Sequence, residues 1–143
     1  MSDKKDPKTW RLETRLVRGG TARSGFGETS EAIYATSGYV YDAAETAAAR
    51  FAGEEEGYTY SRLSNPTVAM FEDRMSLLEG LPIAKGTATG MAAVNAALMS
   101  QLNAGDRLVA SRALFGSCRY ICDEILPRFG IEVELVDGTD NSA

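Results

Sequence analysis

Residues 87–93, Thr-Ala-Thr-Gly-Met-Ala-Ala, form the first of three short motifs in this 143-residue chain whose residue types can bind an anion or a flat ring. They lie where a predicted strand runs into a predicted helix. Free backbone N–H groups and the positive end of the helix dipole favour a phosphate at such a helix start. Gly90 lets the backbone approach an anion closely, and Thr87 or Thr89 can add a hydroxyl donor. The alternative is an ordinary capped turn, because the glycine spacing of a dinucleotide-binding loop and the lysine of a Walker loop are absent.

Tyr60 and Arg62 are the candidate residues of the second motif, Tyr-Thr-Tyr-Ser-Arg-Leu-Ser-Asn-Pro-Thr at positions 58–67. Two residues apart in an extended segment, their side chains point to the same side. A phenol donor and a guanidinium fork suit a phosphate or a carboxylate. The alternative is that Arg62 pairs with a surface acid and Tyr60 packs. Their position favours binding, because the segment leaves the N-terminal part of the chain and is placed to reach a neighbouring subunit.

Phe115 is the candidate of the third motif, the loop at positions 111–117 just beyond the carboxyl end of a predicted strand. Ligands of open α/β sheets bind at this end of the strands. An aromatic side chain there can stack on a flat heteroaromatic ring. The alternative is a core phenylalanine.

The remaining reactive side chains support no further site. Cys118 and Cys122 are four apart, hence on one helix face, and are interpreted as buried small hydrophobes because no histidine or further cysteine accompanies them. Lys85 is the only lysine beyond the first eight residues, and nothing around it favours a covalent role, so it is predicted to be solvated. The absence of histidine excludes His-based triads and His metal sites.

Composition limits the partners of the chain. Hydrophobic residues make up 44% and charged residues 24%, which is typical of a folded protein rather than a disordered or membrane one. A net charge of −5 argues against general nucleic-acid binding, which requires a basic face. The polar N-terminus lacks the apolar core of a signal peptide. We therefore expect a cytoplasmic protein with no nucleic-acid or membrane partner.

The pattern predicts an α/β fold that follows an extended N-terminal arm. Residues 1–64 contain one predicted helix, 42–51, capped by Asp42 and ended by Gly53. From residue 65 onward, helices alternate with strands, which is typical of a mainly parallel sheet flanked by helices. The predicted helices are 66–80, 91–102 and 117–125, and the predicted strands are 82–86, 107–110 and 131–136.

The sequence thus divides into an arm, 1–64, and the first part of a larger domain, 65–143. The arm shows no core of its own, so it is predicted to pack on something else, such as another subunit. Three short strands make a thin sheet with two unpaired edges. The chain is therefore expected to be part of something longer.

Together and in this order, the three motifs resemble the Cys/Met-metabolism family of pyridoxal-phosphate (PLP) enzymes, the cystathionine gamma-synthase-like group. The stretches 27–32, 36–41 and 113–118 are most similar to its O-succinylhomoserine sulfhydrylase branch. The resemblance implies an aspartate-aminotransferase-like, fold type I PLP domain. It also implies a homo-oligomer, a tetramer built as a dimer of dimers, in which residues 1–64 act as an intersubunit clamp.

The resemblance also implies a role for each motif. Tyr60 and Arg62 would hold the PLP phosphate of the neighbouring subunit. The N–H groups of Gly90 and Met91, with Thr89 beside them, would bind the phosphate of their own subunit's cofactor. Position 115 would stack on the pyridine ring. Most relatives have Tyr there, whereas Phe115 can stack but cannot carry a proton.

The implied reaction is γ-replacement, in which O-succinylhomoserine and sulfide give homocysteine and succinate, a step of methionine biosynthesis. The Schiff-base lysine, the acid that pairs with the pyridine nitrogen and the arginine for the substrate carboxylate match no position here and are expected further along. We therefore expect no catalytic residue within the chain, which alone would be inactive. The alternatives are a sibling activity (cystathionine gamma-synthase, gamma-lyase or O-acetylhomoserine sulfhydrylase) or a non-catalytic α/β anion-binding module.

Overall fold

A computed structural model describes residues 6–140 of the chain, and its contacts divide these residues into two compact units, with the boundary between Gly86 and Thr87. Helix α3, which the sequence pattern groups with the second part, belongs by its contacts to the first unit. That unit begins with a 3₁₀ turn, Pro7–Thr9, followed by helices α1 (Leu12–Arg18), α2 (Ala44–Ala52) and α3 (Pro66–Glu79). The second unit contains α4 (Gly90–Met99), β1 (Arg107–Ser111), α5 (Gly116–Tyr120) and β2 (Glu132–Val136).

Helix α3 has the bounds that its end signals predict. The Asn65 side chain accepts a hydrogen bond from Thr67 N at 2.9 Å, which satisfies one of the unpaired N–H groups at the helix start. Pro66 occupies the first turn, where its missing N–H costs nothing. At the other end Gly80 adopts φ 68°, a left-handed conformation that ends the helix.

Helix α1 is absent from the sequence prediction, which recognised only one helix before residue 65. Leu16 and Val17 are 49% and 70% exposed, so the short helix has no continuous apolar face for a pattern to detect. Contacts with α3 hold it instead: Arg15 Nη1 donates to Leu77 O at 3.2 Å, and Arg74 Nε donates to Gly19 O at 2.9 Å. The beginning of the arm therefore packs on this chain's own α3.

The predicted cap of α2 is wrong. Ala43, not Asp42, is the residue at the helix start, and no side chain caps it. Gly53 ends the helix in the left-handed conformation, φ 75°, as predicted.

The second unit confirms the predicted α/β arrangement with a parallel sheet. Strands β1 and β2 pair in parallel, from Arg107 opposite Glu132 to Ser111 opposite Val136. Ile121, Leu126 and Ile131 form the buried core, and partly buried side chains of α4 and both strands pack against it. Burial of these apolar side chains holds the helices on the sheet.

The helical stretch after β1 changes type twice. Helix α5 continues into a π-helical turn, Ile121–Ile125, and then into a 3₁₀ turn, Leu126–Phe129. Pro127 lies in the first turn of the 3₁₀ segment, where its missing N–H is tolerated. Gly130, with φ 75°, ends the stretch.

The predicted strand 82–86 is wrong, because within the described residues this segment pairs with no other strand. Ile83 is 71% exposed. An apolar run becomes a strand only when a neighbour accepts and donates its ladder hydrogen bonds. No helix in the described range is long and apolar enough to cross a membrane.

Gly20 provides a test of the packing between the arm and α3. It has φ 70°, and an added Cβ would lie 2.5 Å from Met70 O. Gly27 has φ 66° but open space around it. We expect Gly20→Ala to lower the free energy of unfolding by about 3 kcal/mol and Gly27→Ala by about 1 kcal/mol, since both lose the backbone freedom of glycine but only the first also clashes. Urea unfolding measures both, and equal losses would contradict the packing described.

Candidate functional site

The start of α4 leaves two backbone donors without a partner in the described chain. Thr89 is the capping residue, and its Oγ1 accepts a hydrogen bond from Ala92 N at 3.0 Å. Its carbonyl accepts from Ala93 N at 3.1 Å. The N–H groups of Gly90 and Met91, one and two residues into the helix, donate to no acceptor within residues 6–140. These are the donors that a helix start offers to an anion.

The space beside these donors is open. A Cβ built on Gly90 would meet nothing within 4 Å, so an anion can approach the backbone there. Because the Thr89 hydroxyl accepts from Ala92, its own proton stays available for a ligand. Thr87 instead donates its hydroxyl to Thr89 O at 2.9 Å and so shapes the turn. The geometry suits a phosphate, with two N–H groups and one hydroxyl as donors.

Phe115 lies outside the core of its unit. The residue precedes α5 with extended backbone angles, φ −54° and ψ 137°, and its carbonyl accepts from Arg119 N at 2.9 Å. Its side chain is 74% exposed. The core alternative therefore does not hold within this unit, and the ring is free to stack on a planar ligand.

Tyr60 and Arg62 lie together, but not for the reason that the sequence suggested. Tyr60 forms an isolated antiparallel bridge with Gly38, and the chain then turns, since Leu63 N and Ser64 N both donate to Tyr60 O. The segment is thus not extended after Tyr60. The Arg62 guanidinium instead stacks over the Tyr60 ring, 5.2 Å from its centroid.

The alternative that Arg62 pairs with a surface acid finds no support in the described part of the chain, where Arg62 is exposed and forms no ion pair. Tyr60 is 42% exposed. A guanidinium and a phenol on one surface, both accessible, remain suited to an anionic ligand.

Lys85 is exposed as predicted, but it is also held by a carboxylate. Its Nζ donates to Glu72 Oε2 at 2.8 Å, and the hydrogen bond raises the pKa of the lysine. A lysine that attacks a carbonyl needs a lowered pKa, so this contact supports the interpretation that Lys85 has no covalent role.

Glu72 links α3 to the segment that follows it. Its Oε1 accepts from Gly86 N at 2.9 Å, and its Oε2 accepts from Lys85. Burial alone raises the pKa of Glu72, but the hydrogen bonds from Lys85 and Gly86 outweigh that effect and hold it below the ordinary value. The sequence analysis missed this residue, because a glutamate within a helix gives no signal of a partner elsewhere in the chain.

The two cysteines are free, with Cys118 half-buried and Cys122 buried. Burial raises the pKa of the Cys122 thiol. Within residues 6–140, no group of His, Cys, Asp or Glu side chains is arranged to hold a metal ion. Both cysteines line an apolar groove of about 350 Å³, together with Val94, Ala97, Leu98, Leu108, Ala110 and Leu114. Their predicted role as small hydrophobes fits this surface.

The predicted site residues fall in both units. Tyr60 and Arg62 belong to the first unit, and Thr89, Gly90, Met91 and Phe115 belong to the second. Within each unit they are accessible and carry the donors or the ring that the sequence analysis assigned to them. Between Tyr60 and Arg62, the Ser61 hydroxyl accepts a hydrogen bond from Asn65 Nδ2. The sequence gives no signal of this contact.

Comparison with known proteins identifies similar chains. A family model described as Cys/Met metabolism PLP-dependent enzyme matches residues 13–143. O-succinylhomoserine sulfhydrylase from Mycobacterium tuberculosis is 60% identical over 126 residues, which cover 88% of this chain and 31% of that protein. O-succinylhomoserine sulfhydrylase from Pseudomonas aeruginosa is 46% identical over 132 residues, which cover 92% of this chain and 33% of that protein.

A solved structure shows that the fold is also shared. A Campylobacter jejuni protein assigned as an O-acetylhomoserine (thiol)-lyase, solved with N'-pyridoxyl-lysine-5'-monophosphate, superposes with a TM-score of 0.88 at 32% identity. The match covers 93% of this chain and 33% of that one. The predicted fold class, part of a fold type I PLP domain, is confirmed. The chain spans about a third of the length of the relatives it matches.

Glu72 makes the stability of this region depend on pH, and its lowered pKa sets the direction of that dependence. Because folding lowers its pKa, the carboxylate stabilises the fold at neutral pH, and that contribution is lost as the pH falls through the range in which it takes up a proton. We expect Glu72→Gln to be less stable than the wild type at pH 7. The difference should shrink as the pH falls from about 5 to about 3.

The measurement is urea unfolding across this pH range, with Glu56→Gln as the control at an exposed carboxylate. The Glu56 variant should follow the wild-type curve. A constant difference between wild type and Glu72→Gln at every pH would show that the lost contact is not electrostatic.

Proposed function

Because the chain belongs to the Cys/Met metabolism PLP-dependent enzymes, the family that its three motifs resemble, we propose that it is part of a longer enzyme that replaces the γ-substituent of O-succinylhomoserine with sulfide. The products are homocysteine and succinate. Identities of 60% and 46% to two O-succinylhomoserine sulfhydrylases support this substrate. The open start of α4 is the structural observation that carries the cofactor assignment.

The residues at this helix start fit the phosphate of PLP. Two unpartnered N–H groups, on Gly90 and Met91, and the Thr89 hydroxyl would donate to its oxygens. The positive end of the α4 dipole favours the negative charge. Glycine at position 90 matters because any side chain there would occupy the space that the anion needs.

Phe115 would pack on the face of the pyridine ring. When bound, PLP supplies an electron sink that makes protons on the substrate carbons acidic. A phenyl ring stabilises the cofactor by stacking but cannot donate or accept a proton. Proton transfer therefore falls to groups other than residue 115, and Phe115 serves binding and orientation.

Tyr60 and Arg62 would contribute a second set of donors to the phosphate of a neighbouring subunit's cofactor. Both side chains are accessible, and Arg62 forms no ion pair among the described residues that would neutralise it. A guanidinium offers paired N–H groups that match phosphate oxygens. Each complete site then needs two copies of the chain.

Mixing two variants of the full-length enzyme that bind PLP weakly, assayed at limiting PLP, tests the shared site. Arg62→Ala removes the donor from the arm, and Gly90→Val blocks the helix start without a steric clash in the fold. We expect each variant alone to bind PLP at least about tenfold more weakly, as loss of a charge-assisted hydrogen bond predicts. A mixed dimer contains one site that carries both substitutions and one site that carries neither.

Co-expression should therefore restore up to about half of the wild-type activity per mixed dimer, measured as homocysteine formation. Mixing Arg62→Ala with Tyr60→Phe serves as the control, because both changes lie in the same arm and cannot complement. Absence of any recovery with Gly90→Val would contradict a site built from two subunits.

An acetyl ester is the second candidate substrate, since the Campylobacter jejuni structure is assigned to an enzyme of O-acetylhomoserine. We expect kcat/KM of the full-length enzyme to be higher for O-succinylhomoserine than for O-acetylhomoserine by at least about tenfold, the scale of one specific charged contact. Initial rates with both esters, each with sulfide and with cysteine, measure the preference.

A higher kcat/KM with the acetyl ester would reassign the substrate, and cysteine as the better nucleophile would indicate cystathionine synthesis. Methionine or cystathionine cleavage would indicate a gamma-lyase. A full-length protein that retains no PLP after the free cofactor is removed and forms no borohydride-trappable imine would favour the non-catalytic anion-binding module instead.

A further inference from the structure

Asn65 is a buried side chain, 7% exposed, whose amide makes more hydrogen bonds than a helix cap requires. Its Oδ1 accepts from Thr67 N and caps α3. Its Nδ2 donates to Tyr34 O at 3.0 Å and to Ser61 Oγ at 3.0 Å. Both amide protons and the oxygen are therefore used.

Ser61 stands between the two proposed phosphate ligands, Tyr60 and Arg62. Its hydroxyl accepts the hydrogen bond from Asn65 and donates to Thr36 O, while its backbone N–H donates to Ser37 O at 3.0 Å. The residue is thus fixed through both its side chain and its backbone. Ser61 therefore anchors the middle of the turn that carries Tyr60 and Arg62.

The amide group distinguishes two tasks of Asn65. Capping needs only an oxygen, and serine or aspartate supplies it as well as asparagine does. The two donors to Tyr34 and Ser61 serve no helix. Without them, the half-buried Tyr34 carbonyl and the half-buried Ser61 hydroxyl would each lose a partner, and the turn at Ser61 would be held by fewer bonds.

We propose that Asn65 is a positioning residue for the cofactor phosphate: through Ser61 it orients the turn from which Tyr60 and Arg62 reach the ligand. This proposal rests on the proposed function. PLP retention then depends on a side chain that touches no ligand. Asn65 of one subunit affects the cofactor site of the neighbouring subunit, because it holds the arm that reaches that site.

Asn65→Ser in the full-length enzyme separates the two tasks, since serine keeps a capping oxygen and loses the amide donors. We expect PLP to bind about tenfold more weakly, with the loss seen in the PLP dissociation constant rather than in kcat at saturating PLP. Ser61→Ala, which keeps Asn65 but removes the acceptor, should give a similar loss. In the double variant the combined loss should be smaller than the sum of the two, because both changes remove the Asn65–Ser61 hydrogen bond.

Gly80→Ala is the matched control for a purely structural role. It strains the other end of α3, at a left-handed residue with open space around it, and leaves the Asn65 network intact. We expect it to lower the melting temperature measurably while PLP binding stays within about twofold of the wild type.

Complementation gives a second readout. Asn65→Ser mixed with Gly90→Val should recover activity, whereas Asn65→Ser mixed with Arg62→Ala should not, because both of those changes affect the same arm. PLP binding by Asn65→Ser within about twofold of the wild type, or equal weakening by Gly80→Ala, would overturn the inference. If the wild type binds PLP and Arg62→Ala weakens it but Asn65→Ser does not, only this inference falls. Failure of the wild type to bind PLP would overturn the proposed function together with it.

Discussion

The buried amide of Asn65 is the contact on which the first unit depends. A polar group taken out of water destabilises the fold unless every donor and acceptor finds a partner. Here the amide pairs with Thr67 N, Tyr34 O and Ser61 Oγ. One side chain thereby starts α3, fixes an irregular segment of the arm and anchors the turn at Ser61. Among the described residues before Thr87, Met70 is the one buried hydrophobic side chain, so directional hydrogen bonds contribute strongly to the conformation of these segments.

The starts of α3 and α4 differ in how many N–H groups of the first turn find a partner within the described chain. In α3, proline at the first position has no N–H, and Asn65 satisfies the next one. In α4, Gly90 and Met91 keep their N–H groups, and the cap from Thr89 reaches only Ala92. Among the described residues, the start of α3 leaves the N–H of Val68 without a partner, whereas the start of α4 leaves those of both Gly90 and Met91, which are adjacent. The pair of adjacent free donors, rather than a helix dipole that both helices have, supports the proposal that the start of α4 binds the phosphate.

The sequence predicted the elements whose signals are local. Pro66 and Gly80 indicated the bounds of α3, and the alternation of helices and strands indicated the α/β class. Prediction failed where a partner decides the outcome. The segment 82–86 has the composition of a strand but no neighbour to pair with among the described residues, and α1 exists because Arg15 and Arg74 bond across to backbone carbonyls. Neither partner is visible in a pattern of apolar spacing.

The sequence by itself determined which chemical groups are available: a helix start at residues 89–91, a ring at Phe115, a phenol and guanidinium at Tyr60 and Arg62, and no histidine. Those facts follow from residue identity and from helix-start signals within a few positions. The tertiary structure decided how they are presented. Arg62 stacks on Tyr60 in a turn rather than along an extended segment, Lys85 is paired with Glu72, and Asn65 holds the turn from below. Each of these depends on hydrogen bonds or stacking between side chains whose geometry the order of residues does not specify.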